Sequence, residues 1–262
     1  MKTLTHLSFV LLVFLFAACG APPADQVAET PVVGNPPAPG FNLEGSDDKA
    51  MQIADKVMTA MGGRANWDNT RYLFWDFFGF RTLLWDKQTG DVRIEFKNED
   101  KKIIVNEKTG QGTVWIDGQV QEQPDTLAKY LEQGKRIWIN DSYWLVMPFK
   151  LKDSGVTLTY IGEDTTASGE KSDVVRLAFE GVGVTPNNAY DVWVSQQEDL
   201  VKQWAFYRDE ADSVPGFTRP WDDYVPMGNI KLSAERGARD LESVQVLTQV
   251  PNGIFESFDV TL

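Results

Sequence analysis

The sequence predicts an α+β domain that is mostly β: a curved antiparallel sheet of about eleven strands, a half-barrel, with helices packed on its concave side. Three observations predict it. From Arg71 onward apolar residues recur with period two, the pattern of strands. Short Gly-containing connections separate those strands and join antiparallel neighbours into a meander. The helical segments are amphipathic and too few to cover a flat sheet of this size, so the sheet is expected to curve around them.

Ahead of the domain, Lys2 precedes an apolar run over residues 7–18 that ends in the small residues Ala17 and Ala18. A basic start and about a dozen apolar residues make a secretory signal peptide, too short for a membrane span of about 20. Phe16-Ala17-Ala18-Cys19 resembles the bacterial lipobox, with Phe16 where leucine is usual. Cys19 is the only cysteine, so it has no partner for an internal disulfide, and lipidation after cleavage accounts for its place. The alternative is an ordinary signal peptide with an incidental cysteine. Residues 19–45 are rich in Pro, Gly and Ala and read as a disordered or semi-rigid tether, leaving 46–262 as the folded domain. By resemblance to enterobacterial sorting, Gly20 lacks the aspartate that retains lipoproteins at the inner membrane. Lipid anchoring at the outer membrane, facing the periplasm or the cell surface, is therefore expected.

The domain opens with a helix. Ser46 is placed to cap it, with Asp47 and Asp48 in its first turn where the dipole favours anions. Ala50, Ile53, Ala54, Val57, Met58 and Met61 form one apolar stripe, and Gly62-Gly63 ends it. A strand over 72–80 follows, apolar on both faces: Leu73, Trp75 and Phe77 on one, Tyr72, Phe74, Phe78 and Phe80 on the other. Something apolar must cover each face. The segment 91–97 alternates cleanly, with Val92, Ile94 and Phe96 inward; 103–106 and 113–117 are joined through Lys108-Thr109-Gly110. A helix starts at Pro124 and runs to Gly134, and an apolar stretch from 137 to 147 is closed by Pro148. Strands resume over 156–161, 174–180, 190–195, 200–207, 229–234, 243–248 and 254–260.

Charge and residue counts exclude whole classes of chemistry. The chain carries a net charge of −13, and −14 once residues 1–18 are removed, with 24 basic against 38 acidic side chains. Such a domain is repelled by phosphates, which argues against nucleic acid and against electrostatic docking on anionic lipid. His6 is the only histidine and lies in the signal peptide. Ser-His-Asp and Cys-His nucleophile systems and His-ligated metals are thereby excluded from the domain. No cofactor and no metal is expected.

A strand-rich domain after an N-terminal helix, tethered behind a lipobox, resembles the LolA/LolB-like superfamily of periplasmic lipoprotein and lipid carriers. Met61-Gly62-Gly63-Arg64 with Trp67, the stretch Tyr143-Trp144-Leu145-Val146-Met147-Pro148-Phe149-Lys150-Leu151-Lys152-Asp153, and Thr185-Pro186 before Tyr190 are similar to an uncharacterised lipoprotein family of that superfamily. The likeness covers roughly 47–262. It implies an acyl chain held between a curved sheet and its helices, and it brings no catalytic residues.

The nine tryptophans admit three readings: packed core, the wall of an apolar cavity, or exposed platforms for sugar. Trp75, Phe77, Trp144, Met147 and Phe149 are the candidate ligand-binding residues, because they lie in the doubly apolar strand and in a lid-like apolar stretch. Trp115 and Trp193, flanked by polar residues on their strands, are the candidates for a glycan surface. For a hydrolase, the pairs Asp222-Asp223 and Glu99-Asp100 are the best carboxylate candidates. Gly162-Glu163-Asp164 and Asp209-Glu210 read as solvated loops without EF-hand spacing. Lys150 and Lys152 are candidates to meet a lipid headgroup. The expectation is a non-enzymatic lipoprotein binding an acyl chain or other apolar molecule, with lipidation at Cys19.

Overall fold

The computed structural model describes residues 34–183 and 187–262. The signal peptide, Cys19 and the first part of the tether lie outside them, as do Thr185 and Pro186. The described residues belong to one compact unit. Asn35 is buried and donates to Asp55 at 2.8 Å, the Ala38 amide donates to the Lys152 carbonyl at 2.9 Å, and Phe41 joins the core. The stretch from Asn35 to Phe41 is thus docked on the domain. The segment is a run of turns whose amides and carbonyls find partners on the domain.

Helix α1 (Asp48–Ala60) buries the expected stripe of Ala50, Ile53, Ala54, Val57 and Met58. Gly62 and Gly63, with φ of 116° and 89°, turn the chain out of it. Its N-cap is Asp47 rather than Ser46, and neither side chain caps the helix. Ser46 Oγ instead accepts the Leu158 amide at 3.0 Å, and the Asp47 carboxylate accepts that of Tyr160 at 2.8 Å. Both residues satisfy the edge of a strand. A short helix α2 (Arg64–Asn69) carries Trp67 into the core.

The predicted strand over 72–80 ends early, as β1 (Tyr72–Phe77); residues 78–80 are a tight turn into β2 (Arg81–Asp86), a strand the sequence did not predict. The turn places Phe78 at φ 56° and Gly79 at φ 74°. It was hidden because Phe78 and Phe80 continue the apolar alternation. The meander continues through β3 (Asp91–Phe96), β4 (Lys101–Asn106), β5 (Gly112–Ile116) and β6 (Gln119–Val120). These six strands and β14 (Glu242–Leu247) form a seven-stranded sheet in the order β14-β1-β2-β3-β4-β5-β6. On its inner face the register sets Leu73 opposite Trp85, Trp75 opposite Leu83, Leu83 opposite Ile94 and Ile94 opposite Ile103, all buried.

Helix α3 (Pro124–Val146) is continuous for 23 residues, where a stop at Gly134 was expected, and runs into a 3-10 turn at Met147–Lys150. Gly134 sits inside it against β4: a Cβ there would stand 2.8 Å from Ile103 Cγ2. The second sheet, of five strands, has the order β11-β10-β9-β8-β7: β7 (Val156–Thr165), β8 (Lys171–Phe179), β9 (Ala189–Ser195), β10 (Val201–Tyr207) and β11 (Phe217–Pro220). A hairpin of β12 (Asp222–Met227) and β13 (Ile230–Glu235) completes the chain of strands. Strands make up 38% and helices 20%; among the described residues every pairing is antiparallel and no barrel closes. The mostly β, antiparallel class with packed helices is thus the class the sequence predicts. Its strands number fourteen among the described residues, divided between sheets whose inner faces share one core.

The segment 254–260 is not a strand but a run of turns. It lies against the outer face of the seven-stranded sheet. There the buried Arg93 donates to the carbonyls of Ile254 at 2.8 Å and Ser257 at 2.9 Å, and Trp115 meets Phe258 at 6.3 Å. The segment thus lies on the outer face of β3 and β5.

Candidate ligand cavity

Helix α3 is fixed to the seven-stranded sheet by groups spread along its length. Gly134 rests on Ile103 and Val105, Trp138 meets Trp85 edge-on at 5.3 Å, and Phe77 meets Trp144 at 6.3 Å. Arg81 holds the buried Asp141 carboxylate through two bonds of 2.7 and 2.8 Å. Burial pushes that carboxyl's pKa up, and the Arg81 guanidinium opposes the rise. Near the helix end, Arg236 of the β13 end donates to the Trp144 carbonyl at 2.7 Å, with its guanidinium 3.5 Å from the Trp221 ring centre. Terminal helix carbonyls have no partner within the helix, so Arg236 supplies one from a strand.

With one side so anchored, the C-terminal half of α3 turns its other side toward the five-stranded sheet. Between them lies a cavity of about 460 Å³. Trp138, Ile139, Tyr143 and Trp144 form the helical wall, and Phe179, Tyr190, Phe206 and Phe217 the sheet wall. The sheet side follows from register: Phe206 lies opposite both Tyr190 and Phe217, and Leu177 opposite Tyr190. Tyr190 stacks on the fully buried Trp204 at 5.2 Å and 8°, and Tyr143 packs on Tyr190 at 5.2 Å. Burial pushes the Tyr190 phenol up to about 12 and holds Tyr143 well above the usual range, so both are uncharged at neutral pH. At the rim Lys150 forms an ion pair with Asp153. Asn140, Ser142 and Ser154 add neutral polar groups.

Of the five ligand-binding candidates, Trp144 lines this cavity. Trp75 and Met147 are fully buried in the core, Phe77 is buried beside Trp144, and Phe149 is stacked on Trp67 at 4.2 Å and 9°. Those four are packing residues beneath or beside the wall. The lid-like stretch is correspondingly locked: it is the end of α3 and the 3-10 turn, pinned by Arg236 and Trp67. Lys152 faces no open headgroup site, because it is buried against Asp55 of α1. The sheet-wall aromatics and Trp138 escaped the sequence reading. Each stands at an inward position of its strand or helix, but only register and the pairing order bring them together.

The other candidates are accounted for locally. Trp193 and Trp115 are half-buried on outer faces, and their indole N–H groups donate to Asp164 at 3.0 Å and Asp100 at 3.2 Å. Asp222 pairs with Lys202 at 3.0 Å, Asp223 is exposed, and Glu99 pairs with Lys101 at 2.7 Å. Among the described residues no three His, Cys, Asp or Glu side chains converge as a metal site, and no helix is long and apolar enough to cross a membrane.

No protein-family model matches the chain, and no curated protein matches it in sequence. Among solved structures, a DUF1329 family protein from Desulfovibrio piger is similar with a TM-score of 0.46 and 13% identity. That match covers 82% of this chain and 100% of the other. A LolA superfamily protein from Nitrosomonas europaea is similar with a TM-score of 0.40 and 9% identity, covering 79% and 97%.

Proposed function

We propose that this chain is a lipid-anchored outer-membrane lipoprotein that holds an apolar molecule in the cavity between α3 and the five-stranded sheet, by binding rather than catalysis. The observation that carries the reading is the cavity itself. Its volume of about 460 Å³ lies within the range of small-molecule sites, about 300–1,000 Å³, and seven of its seventeen described lining residues are aromatic. The driving force is burial of hydrocarbon, about 0.8 kcal/mol per methylene removed from water. Anchoring at Cys19 rests on the lipobox pattern, and the tether places the cavity near a lipid surface that the acidic domain would otherwise avoid.

Native mass spectrometry of the protein purified from cells is expected to find a bound apolar molecule. Repeated recovery of empty protein, together with no measurable affinity for any added apolar ligand, would sink the binding role. Labelled palmitate is expected to enter the protein and to be lost in Cys19→Ala; retained label in that variant would overturn the anchor at Cys19.

A further inference from the structure

Resting on the binding role above, we propose that the cavity takes an uncharged, rigid ring system in preference to an acyl chain. The wall is the first reason. Of the seventeen described lining residues seven are aromatic, against three aliphatic ones, Ile139, Val156 and Val182, and none is leucine or methionine. Methionine and other unbranched side chains re-form around a flexible guest, whereas aromatic rings present flat faces of fixed shape.

The rings are also locked before any ligand arrives. Trp204 is boxed edge-on between Trp144 at 4.8 Å and 88° and Trp221 at 5.2 Å and 88°. It carries Tyr190 stacked on its face, while Phe217 packs on Phe206 at 5.2 Å and 26°. A rigid guest gains ring-to-ring contact here and loses no internal rotation. An acyl chain loses rotational freedom at every bond it orders and gains no stacking.

Charge is the third reason. Lys150 is the one cationic side chain among the described lining residues, and Asp153 already neutralises it. A fatty-acid carboxylate entering the cavity would find no unpaired cation there, and the net charge of −13 on the chain disfavours its approach. Asn140, Ser142 and Ser154 suit the keto, ester or ether oxygen of an uncharged guest.

The test is a titration of the full-length protein with fluorenone, palmitate and methyl palmitate, read by quenching of tryptophan fluorescence for the ketone and by its displacement for the chains. Fluorenone is expected to bind, and both chains to displace it only at concentrations at least tenfold above its own dissociation constant. Tyr190→Leu and, at the edge strand, Phe217→Leu keep an apolar wall but remove a flat face. Each is expected to weaken fluorenone by about fivefold without weakening the chains. Chain binding tighter than fluorenone, or a folded Phe217→Leu protein with unchanged fluorenone affinity, overturns the ring preference and leaves apolar binding standing. If none of the three probes binds, the ring preference falls, and the binding role falls with it when the protein from cells is also empty.

Discussion

Arg236 shows what a single residue decides here. It is 1% exposed, reaches the Trp144 carbonyl with two nitrogens at 3.2 and 2.7 Å, and donates to the Ser233 hydroxyl at 2.9 Å. Arg236→Met keeps much of the stem and removes every donor, leaving the Trp144 carbonyl without its strand partner. A loss of about 2–4 kcal/mol is expected, measured as a lower urea midpoint at unchanged slope. Tyr190 gives a pH signature. Its phenol is raised to about 12 from an ordinary 10.0, so the folded state holds a proton that the unfolded chain releases first. That contribution to stability is intact below pH 10 and is lost as pH climbs from 10 to 12. Unfolding free energy plotted against pH should therefore fall less steeply across that window in Tyr190→Phe. Tyr143 and Tyr224, whose hydroxyls are buried, still contribute their own alkaline loss in that variant.

At the scale of elements, Gly134 decides how α3 is read. Glycine inside a helix costs about 1 kcal/mol relative to alanine, so local propensity alone makes Gly134→Ala stabilising. The structure reverses the sign. The new Cβ would lie 2.8 Å from Ile103 Cγ2 and 3.2 Å from Val105 Cγ1, both branched groups on a buried strand that cannot swing away. Overpacking of this kind costs about 1–3 kcal/mol and outweighs the propensity gain. Calorimetry of Gly134→Ala should show a melting temperature lower by roughly 2–4 °C per kcal/mol lost. The same position explains the misread helix end, since a glycine after an apolar stripe signals termination unless a strand lies against it. Phe78 is the converse case. A bulky residue at φ 56° is disfavoured, but its ring packs edge-on to Trp144 at 5.2 Å. That contact supports a turn where the alternation of Phe78 and Phe80 reads as continuing strand.

For the whole molecule, the C-terminal segment is the part whose role depends most on distant partners. Its apolar residues Ile254 and Phe258 are spaced four apart, and it was read as a strand. Arg93, more than 150 positions earlier, takes its carbonyls instead. Arg93→Ala should release the segment: limited proteolysis is expected to clip near Gly253 early, while the far-ultraviolet spectrum of the sheets stays unchanged. Resistance equal to the parent protein would count against this clasp. The cavity obeys the same logic, for α3 is held to one sheet by Arg81 and Gly134, and so its opposite side faces the other sheet.

The sequence by itself determined the mostly β antiparallel class, the stripe of α1 and the inward positions of most strands, because these rest on local periodicity. The lipobox pattern at Cys19 is likewise local. Only the tertiary structure decided that the stretch from Asn35 to Phe41 docks on the body, that Gly134 lies inside a helix, and that the strands divide between sheets. It also decided which aromatics surround the cavity. Trp144 alone of the predicted five is in the wall, because burial of a ring is written in hydrophobicity, whereas the side of an open space it faces is set by register and by residues far along the chain.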